Sequence, residues 1–476
     1  MRRLVRGSRR RVVAAISAVL AGSLLAAGCA ADGSPDGEPT PTASSAPPGT
    51  QLTMSVYGPK SVTDTYRRLA EVWAGGMQGV ELEVKTYGGR AQAMAALRQD
   101  RAAGDPPDLF LAGLDDLAGL ATSGALRRVD DLLSARQVDF GDGYNRRGLE
   151  AFGRDAALQC MPVDVSPLVV YYNPQLVELG EIAEEGRRDI SQQRGWTLEE
   201  FARGASQPQA RGVRGLYVAP TLDQVAPFVW SGGGAIADDV AAPTTLTFSD
   251  DASAEAMEQL LTVVRDPALT FGPRALERKP ALERFIDGQL GMMLGYRDLV
   301  ATLRETPELT FDVMPMPVID TGATSGRMSG LCLSADSPED AQEAAADLLV
   351  DLISTESQNA LAETGAVVPT NVESLGSESF LQSGERPLHS MVYAREMRDI
   401  EPQPASENWG SVSAVASRQL ERLFTDPLID PLEDRLAAID AASVPLLVTS
   451  DEGDEEGDDE GEEPSQTPEP TEDATP

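Results

Sequence analysis

Histidine is almost missing from this 476-residue chain, and His389 is the only one. A Ser-His-Asp centre needs a histidine base, yet Pro387-Leu388-His389-Ser390 holds no glycine-flanked nucleophile. Gly322-Ala323-Thr324-Ser325-Gly326 carries its serine one place too late for a nucleophile elbow. Cysteine is scarce as well, and Cys160 and Cys332 with a single histidine cannot assemble a usual zinc set. A phosphate-cradling Gly-x-x-x-x-Gly-Lys run is absent. Asp139-Phe140-Gly141-Asp142-Gly143 lacks the spacing of a Ca²⁺ loop and reads as a turn. Acids are abundant enough for a paired-carboxylate glycosidase, but that abundance makes chance pairs uninformative. No catalytic activity, metal or cofactor is therefore expected.

Basic residues are also few, 39 Lys and Arg against 76 Asp and Glu, for a net charge of -37. Such a balance disfavours nucleic acid and anionic membrane surfaces as partners. Long hydrophobic runs are lacking too. The uncharged stretch 12–27 falls short of the roughly 20 residues of a membrane span. Preceded by Arg2, Arg3, Arg6, Arg9, Arg10 and Arg11 and followed by Gly28-Cys29, it has the layout of a secretory signal. The small residues before Cys29 resemble a lipobox, with Ala26 where Leu, Val or Ile is usual, so Cys29 is expected to carry lipid and begin the mature chain. Ser8-Arg9-Arg10-Arg11-Val12-Val13 also resembles a twin-arginine signal, and both export routes stay open.

What is present is a long chain, large enough for two cores, between two low-complexity ends. Residues 29–50, rich in Pro, Ser, Thr, Gly and Asp, read as a flexible tether, and 448–476 as an acidic, solvated tail. In between, 52–57 alternates as a strand, 63–73 puts Tyr66, Leu69, Ala70 and Trp73 on one helical face, 80–87 is a second strand, 91–98 a helix and 109–111 a buried strand. This order describes a parallel α/β sheet. The apolar, β-branched and aromatic run 168–172 reads as a buried strand that Asn173-Pro174 ends before a helix. Pro162 and Pro167 bracket Asp164, a charge held on stiff backbone just before that strand.

Several ordered blocks resemble the extracellular solute-binding proteins of family 1, the sugar-binding type that serves bacterial ABC importers. They include Pro162-Val163-Asp164 with Tyr172-Asn173, Gly104-Asp105-Pro106-Pro107-Asp108-Leu109, and Ser123-Gly124-Ala125-Leu126 leading to Asp130-Asp131-Leu132-Leu133. Trp196-Thr197-Leu198-Glu199-Glu200-Phe201 adds a helix opening in which Thr197 caps and Glu200 completes a capping box. Further on come Gly288, Gly291-Met292 and Gly295-Tyr296, then Phe311-Asp312-Val313-Met314-Pro315-Met316-Pro317 and Pro369-Thr370-Asn371. Gly291 and Tyr296 stand where the family commonly has Ala and Trp.

The resemblance implies an α/β, two-lobed periplasmic-binding-protein-like fold of type II, each lobe a parallel-rich sheet flanked by helices, joined by crossing hinge strands. After a signal peptide at 1–28, it implies a first lobe at 51–162 with 334–383, and a second at 163–333 with 384–447. Cys160 and Cys332 would lie near the crossing strands, either bridged or as two buried thiols. Ligand contacts are expected from Tyr57, Asp115, Asp164, Trp230, Tyr296, Arg297 and Trp409, with aromatic faces on C–H patches and charged groups on hydroxyls. Trp230 precedes Gly232-Gly233-Gly234, a run that lets backbone pass close to something. The function implied is that of a monomeric binding protein, anchored by lipid at the outer face of the membrane. It would capture a small solute, above all a sugar, and deliver it to ABC permease subunits. Aromatic content of 5% is modest for stacked rings, so a small polar or cationic solute stays open, as does a sensor or scaffold of the same fold.

Overall fold

The computed structural model describes residues 49–182 and 190–448. The signal peptide, Cys29, all but the end of the tether and nearly all of the acidic tail lie outside the described residues. Twelve strands occur among the described residues: β1 (Thr50–Tyr57), β2 (Val80–Tyr87), β3 (Leu109–Gly113), β4 (Leu126–Arg127), β5 (Gly153–Arg154), β6 (Ala157–Leu158), β7 (Met161–Pro167), β8 (Val169–Tyr172), β9 (Arg214–Tyr217), β10 (Leu290–Gly295), β11 (Asp312–Met314) and β12 (Gly326–Ser334). One sheet has the order β2-β1-β3-β12-β4, with β7 also paired to β12; a second has the order β11-β8-β10-β9, and β5 and β6 form a small ribbon.

Alternation explains β1, in which Leu52, Met54 and Val56 are buried and face the helix Lys60–Gly76, itself burying Val62, Thr63, Tyr66 and Ala70. β8 has no solvent face. Val169 and Tyr171 join the first apolar core while Val170 and Tyr172 join the second, which is why the run 168–172 is apolar without a break. Parallel pairing links β1 to β2 and β3 and β9 to β10, whereas β7, β8, β11 and β12 pair antiparallel. The antiparallel pairs belong to the segments that leave the first sheet and return to it.

Two expectations are corrected. Asn173-Pro174 opens no α-helix: Asn173 Oδ1 accepts from Gln175 N at 2.9 Å, a local turn that competes with helix, and only a 3-10 helix at Leu179–Glu181 follows. The passages between sheets also lie elsewhere than at 162/163 and 333/334. β7 and β12 belong to the first sheet along their whole length, because they pair with each other from Met161 to Pro167. The chain passes instead at Leu168, whose N–H donates to Ser325 O at 2.8 Å and whose carbonyl accepts from Thr324 Oγ1 at 2.7 Å. A third passage occurs at Ile400 rather than 383/384, since Thr324 N donates to Asp399 O at 2.8 Å and Glu401 N to Thr324 O at 3.0 Å.

Cys160 and Cys332 are joined in a disulfide next to the β7–β12 pair. Thr197 and Glu200 form a reciprocal cap on the helix Leu198–Ser206, with Thr197 Oγ1 accepting from Glu200 N and Glu200 Oε2 from Thr197 N. No helix among the described residues is long and apolar enough to cross a membrane.

Candidate functional site

Between the two sheets lies a cavity of about 1420 Å³. Its walls are built from chain ends of the regular elements. Tyr57 is the last residue of β1, Asp115 follows β3, Tyr296 follows β10, and Arg327 and Ser329 lie near the start of β12.

Six of the seven expected contact residues line this cavity. Tyr57 pairs its hydroxyl with Ser329 Oγ at 3.2 Å, and burial pushes its phenol up to about 12. Asp115 is already engaged, by Arg90 Nη2 at 2.9 Å and by Gln403 Nε2, which donates to Oδ1 at 2.9 Å. Arg90 reaches Asp116 as well, at 3.2 Å. Gln403 belongs to the extended segment after Ile400, so its bond to Asp115 spans the cavity mouth. Trp230 is half-buried in the wall, and Trp409 opens the helix Trp409–Thr425 with its ring largely covered.

Tyr296 reaches the cavity by a different route than expected. Its hydroxyl donates to Asp223 Oδ2 at 3.1 Å, and its ring face is covered by the Arg327 guanidinium at 4.0 Å. The guanidinium, held to Asp298 at 3.2 Å, is therefore what the cavity meets over that ring. The glycine run beside Trp230 also finds its explanation in packing. A Cβ on Gly232 would lie 2.7 Å from Ala256 Cβ, and one on Gly234 2.6 Å from Ser253 Oγ, so what passes close is the helix Asp251–Val264.

Arg297 is not in the site. Successive residues after β10 point to opposite sides, so where Tyr296 faces the cavity Arg297 enters the core. Fully buried, it donates from Nε to Gly365 O at 2.9 Å, from Nη1 to Ser390 Oγ at 2.9 Å and from Nη2 to Phe380 O at 3.2 Å. Its guanidinium also lies 4.9 Å from the ring centres of Phe380 and Tyr393.

Sequence reasoning missed Arg90, Asp223, Asp298, Arg327 and Ser329. Asp223 stands in the first turn of the helix Leu222–Ser231, where the helix dipole favours an acid, and that was its only local signal.

Asp164 carries a testable charge. Its Oδ1 accepts from Val368 N at 2.8 Å. Burial pushes the carboxyl up from 3.8 to about 7, with the Val368 N–H, Arg327 and Arg297 pulling it down and Asp298 adding to the rise. A raised acid pKa means that the folded chain holds more protons than the unfolded one between these values, so its contribution to stability falls as pH rises through that window. Asp164→Asn keeps the acceptor for Val368 and cannot ionise. It is expected to gain on the wild type by about 2 kcal/mol between pH 4.5 and pH 8 in urea unfolding, the full shift being discounted for a side chain that partly faces the cavity. Glu396, pushed up to about 8 by burial, gives wild type and variant the same trend, so the difference between them is the readout. A difference that is flat with pH would remove Asp164 from this account.

A family model described as Bacterial extracellular solute-binding protein matches residues 74–386. The chain belongs to that family. Solved structures of solute-binding proteins share its fold. The ABC substrate-binding protein Lmo0181 from Listeria monocytogenes, in complex with cycloalternan, is 19% identical with a TM-score of 0.69, over 82% of this chain and 97% of that one. The GacH receptor of Streptomyces glaucescens, solved unliganded and with acarbose, is 16% identical with a TM-score of 0.68, over 84% and 98%. The cyclic α-maltosyl-1,6-maltose binding protein from Arthrobacter globiformis is 16% identical with a TM-score of 0.66, over 84% and 99%. At such identities the likeness is one of fold. No curated protein sequence matches the chain.

Proposed function

We propose that this solute-binding protein captures a saccharide in the cavity between its sheets and presents the loaded form to an ABC importer, without chemistry on the solute. The observation that carries this reading is the lining of the cavity. Tyr57, Trp230 and Trp409 offer apolar ring surface, while Asp223, Asp298 and Arg327 offer hydrogen-bonding groups, the combination that a sugar's C–H faces and hydroxyls require. The neighbours' own ligands, cycloalternan and acarbose among them, support the same class.

Ligand that touches both walls favours the closed arrangement, so binding shifts the population toward the form a permease recognises. The pivots proposed for that motion are Leu168, Thr324-Ser325 and Ile400, where the chain passes between the sheets. The proposed lobes therefore meet at these residues. Lipid on Cys29 is proposed to hold the protein at the outer face of the membrane.

Thermal unfolding of the purified protein against mono- and oligosaccharides tests the reading. A saccharide at a thousandfold excess over its Kd is expected to add about 4 kcal/mol. Trp230→Ala is expected to weaken that saccharide about tenfold, through loss of ring contact. Silence across a broad saccharide panel would contradict the proposal.

A further inference from the structure

The cavity's charges are unequally matched. On the helix and ribbon at 146–158, Arg147 and Arg154 balance Glu150 and Asp155. Elsewhere, Asp115, Asp164, Asp223, Asp298 and Glu401 face the cavity, and the cations among them are Arg90 and Arg327. Both are already engaged. Arg90 lies between Asp115 and Asp116, and Arg327 is held by Asp298 and lies flat on Tyr296. Among the described residues, no Lys, Arg or His comes within 4.0 Å of the carboxylates of Asp164 or Asp223.

This surplus is not one solvated face. Asp164 comes from β7, Asp223 from the first turn of the helix Leu222–Ser231, and Asp298 from the loop after β10, so the fold brings together acids that are far apart in the chain. Asp298 Oδ1 is buried and accepts no hydrogen bond from the protein, which leaves an acceptor without a donor at the same place. Tyr57, Trp230 and Trp409 line the same cavity, and the faces of such rings attract a cation as well as C–H groups.

We infer that the cavity selects saccharides carrying a protonated amine over neutral and acidic ones, with the ammonium seated among Asp164, Asp223 and Asp298. This rests on the saccharide reading and narrows it. An ammonium donates up to three hydrogen bonds and can meet Asp223 and Asp298 together, while the sugar ring uses the aromatic faces. A carboxylate or phosphate ligand meets surplus negative charge and no unengaged guanidinium in this corner, so sugar acids are rejected.

The test uses ligands that differ only in the nitrogen. Calorimetric titration compares chitosan trimer with its N-acetylated form and with cellotriose, glucosamine with glucose and glucuronate, and includes spermidine as a cation without a ring. The amine member of a pair is expected to bind at least tenfold tighter than its neutral partner, with glucuronate silent. Between 20 mM and 500 mM salt that advantage is expected to shrink, and Asp223→Asn and Asp298→Asn are each expected to reduce it while neutral saccharides bind as before. Neutral members binding as tightly as amines would overturn the inference and leave the saccharide reading standing. Spermidine binding with no saccharide bound would overturn both, as would silence across the whole set.

Discussion

Arg297→Ala is expected to lower stability by about 3–5 kcal/mol and to leave ligand affinity of the folded protein within about twofold of the wild type. The guanidinium is fully buried and is the hydrogen-bond donor to Gly365 O, Phe380 O and Ser390 Oγ. Removing it leaves two carbonyls and a hydroxyl facing a cavity, and each buried group that loses its partner costs about 1–3 kcal/mol. Urea unfolding with an unchanged slope measures the loss. An Arg297→Ala protein as stable as the wild type but unable to bind would return Arg297 to the site.

Cys160→Ala with Cys332→Ala is expected to cost about 3–5 kcal/mol under oxidising conditions. The bridged residues are 172 apart, and the loop that they close is the whole excursion through the second sheet. A crosslink that restrains so long a loop restricts the unfolded chain strongly, so its loss should act mainly there. Reductant should bring the wild type down to the level of the double variant. Equal urea midpoints for the wild type with and without reductant would mean that the bridge contributes nothing.

The strands of the first sheet were legible because each carries its own signal. Leu52, Met54 and Val56 alternate, and 80–87 is the second strand as expected. The Thr197–Glu200 cap was equally local. The passages between sheets were not, because the pairing of β7 with β12 joins residues that are far apart in the chain, and Asp164 alone does not reveal that its strand is still in the first sheet.

The site shows the same division. Tyr57 and Asp115 follow from strand ends, which sequence can place. Arg297 differs from Tyr296 by a single residue, and which of the two enters the cavity depends on the side each faces as the chain leaves β10. Asp223 and Arg327 matter because they meet Tyr296 from a helix and a strand distant in sequence, a convergence that only the folded chain displays.

Tryptophan fluorescence during saccharide titration tests most directly that the solute enters between the sheets. The chain has four tryptophans, of which Trp230 and Trp409 line the cavity, whereas Trp73 and Trp196 pack against the two cores. A saturable emission change that persists in Trp73→Phe and disappears when Trp230 and Trp409 are both replaced by phenylalanine is the predicted result. A saccharide that binds with the same affinity and the same emission change in that double variant would place the solute elsewhere and contradict the account.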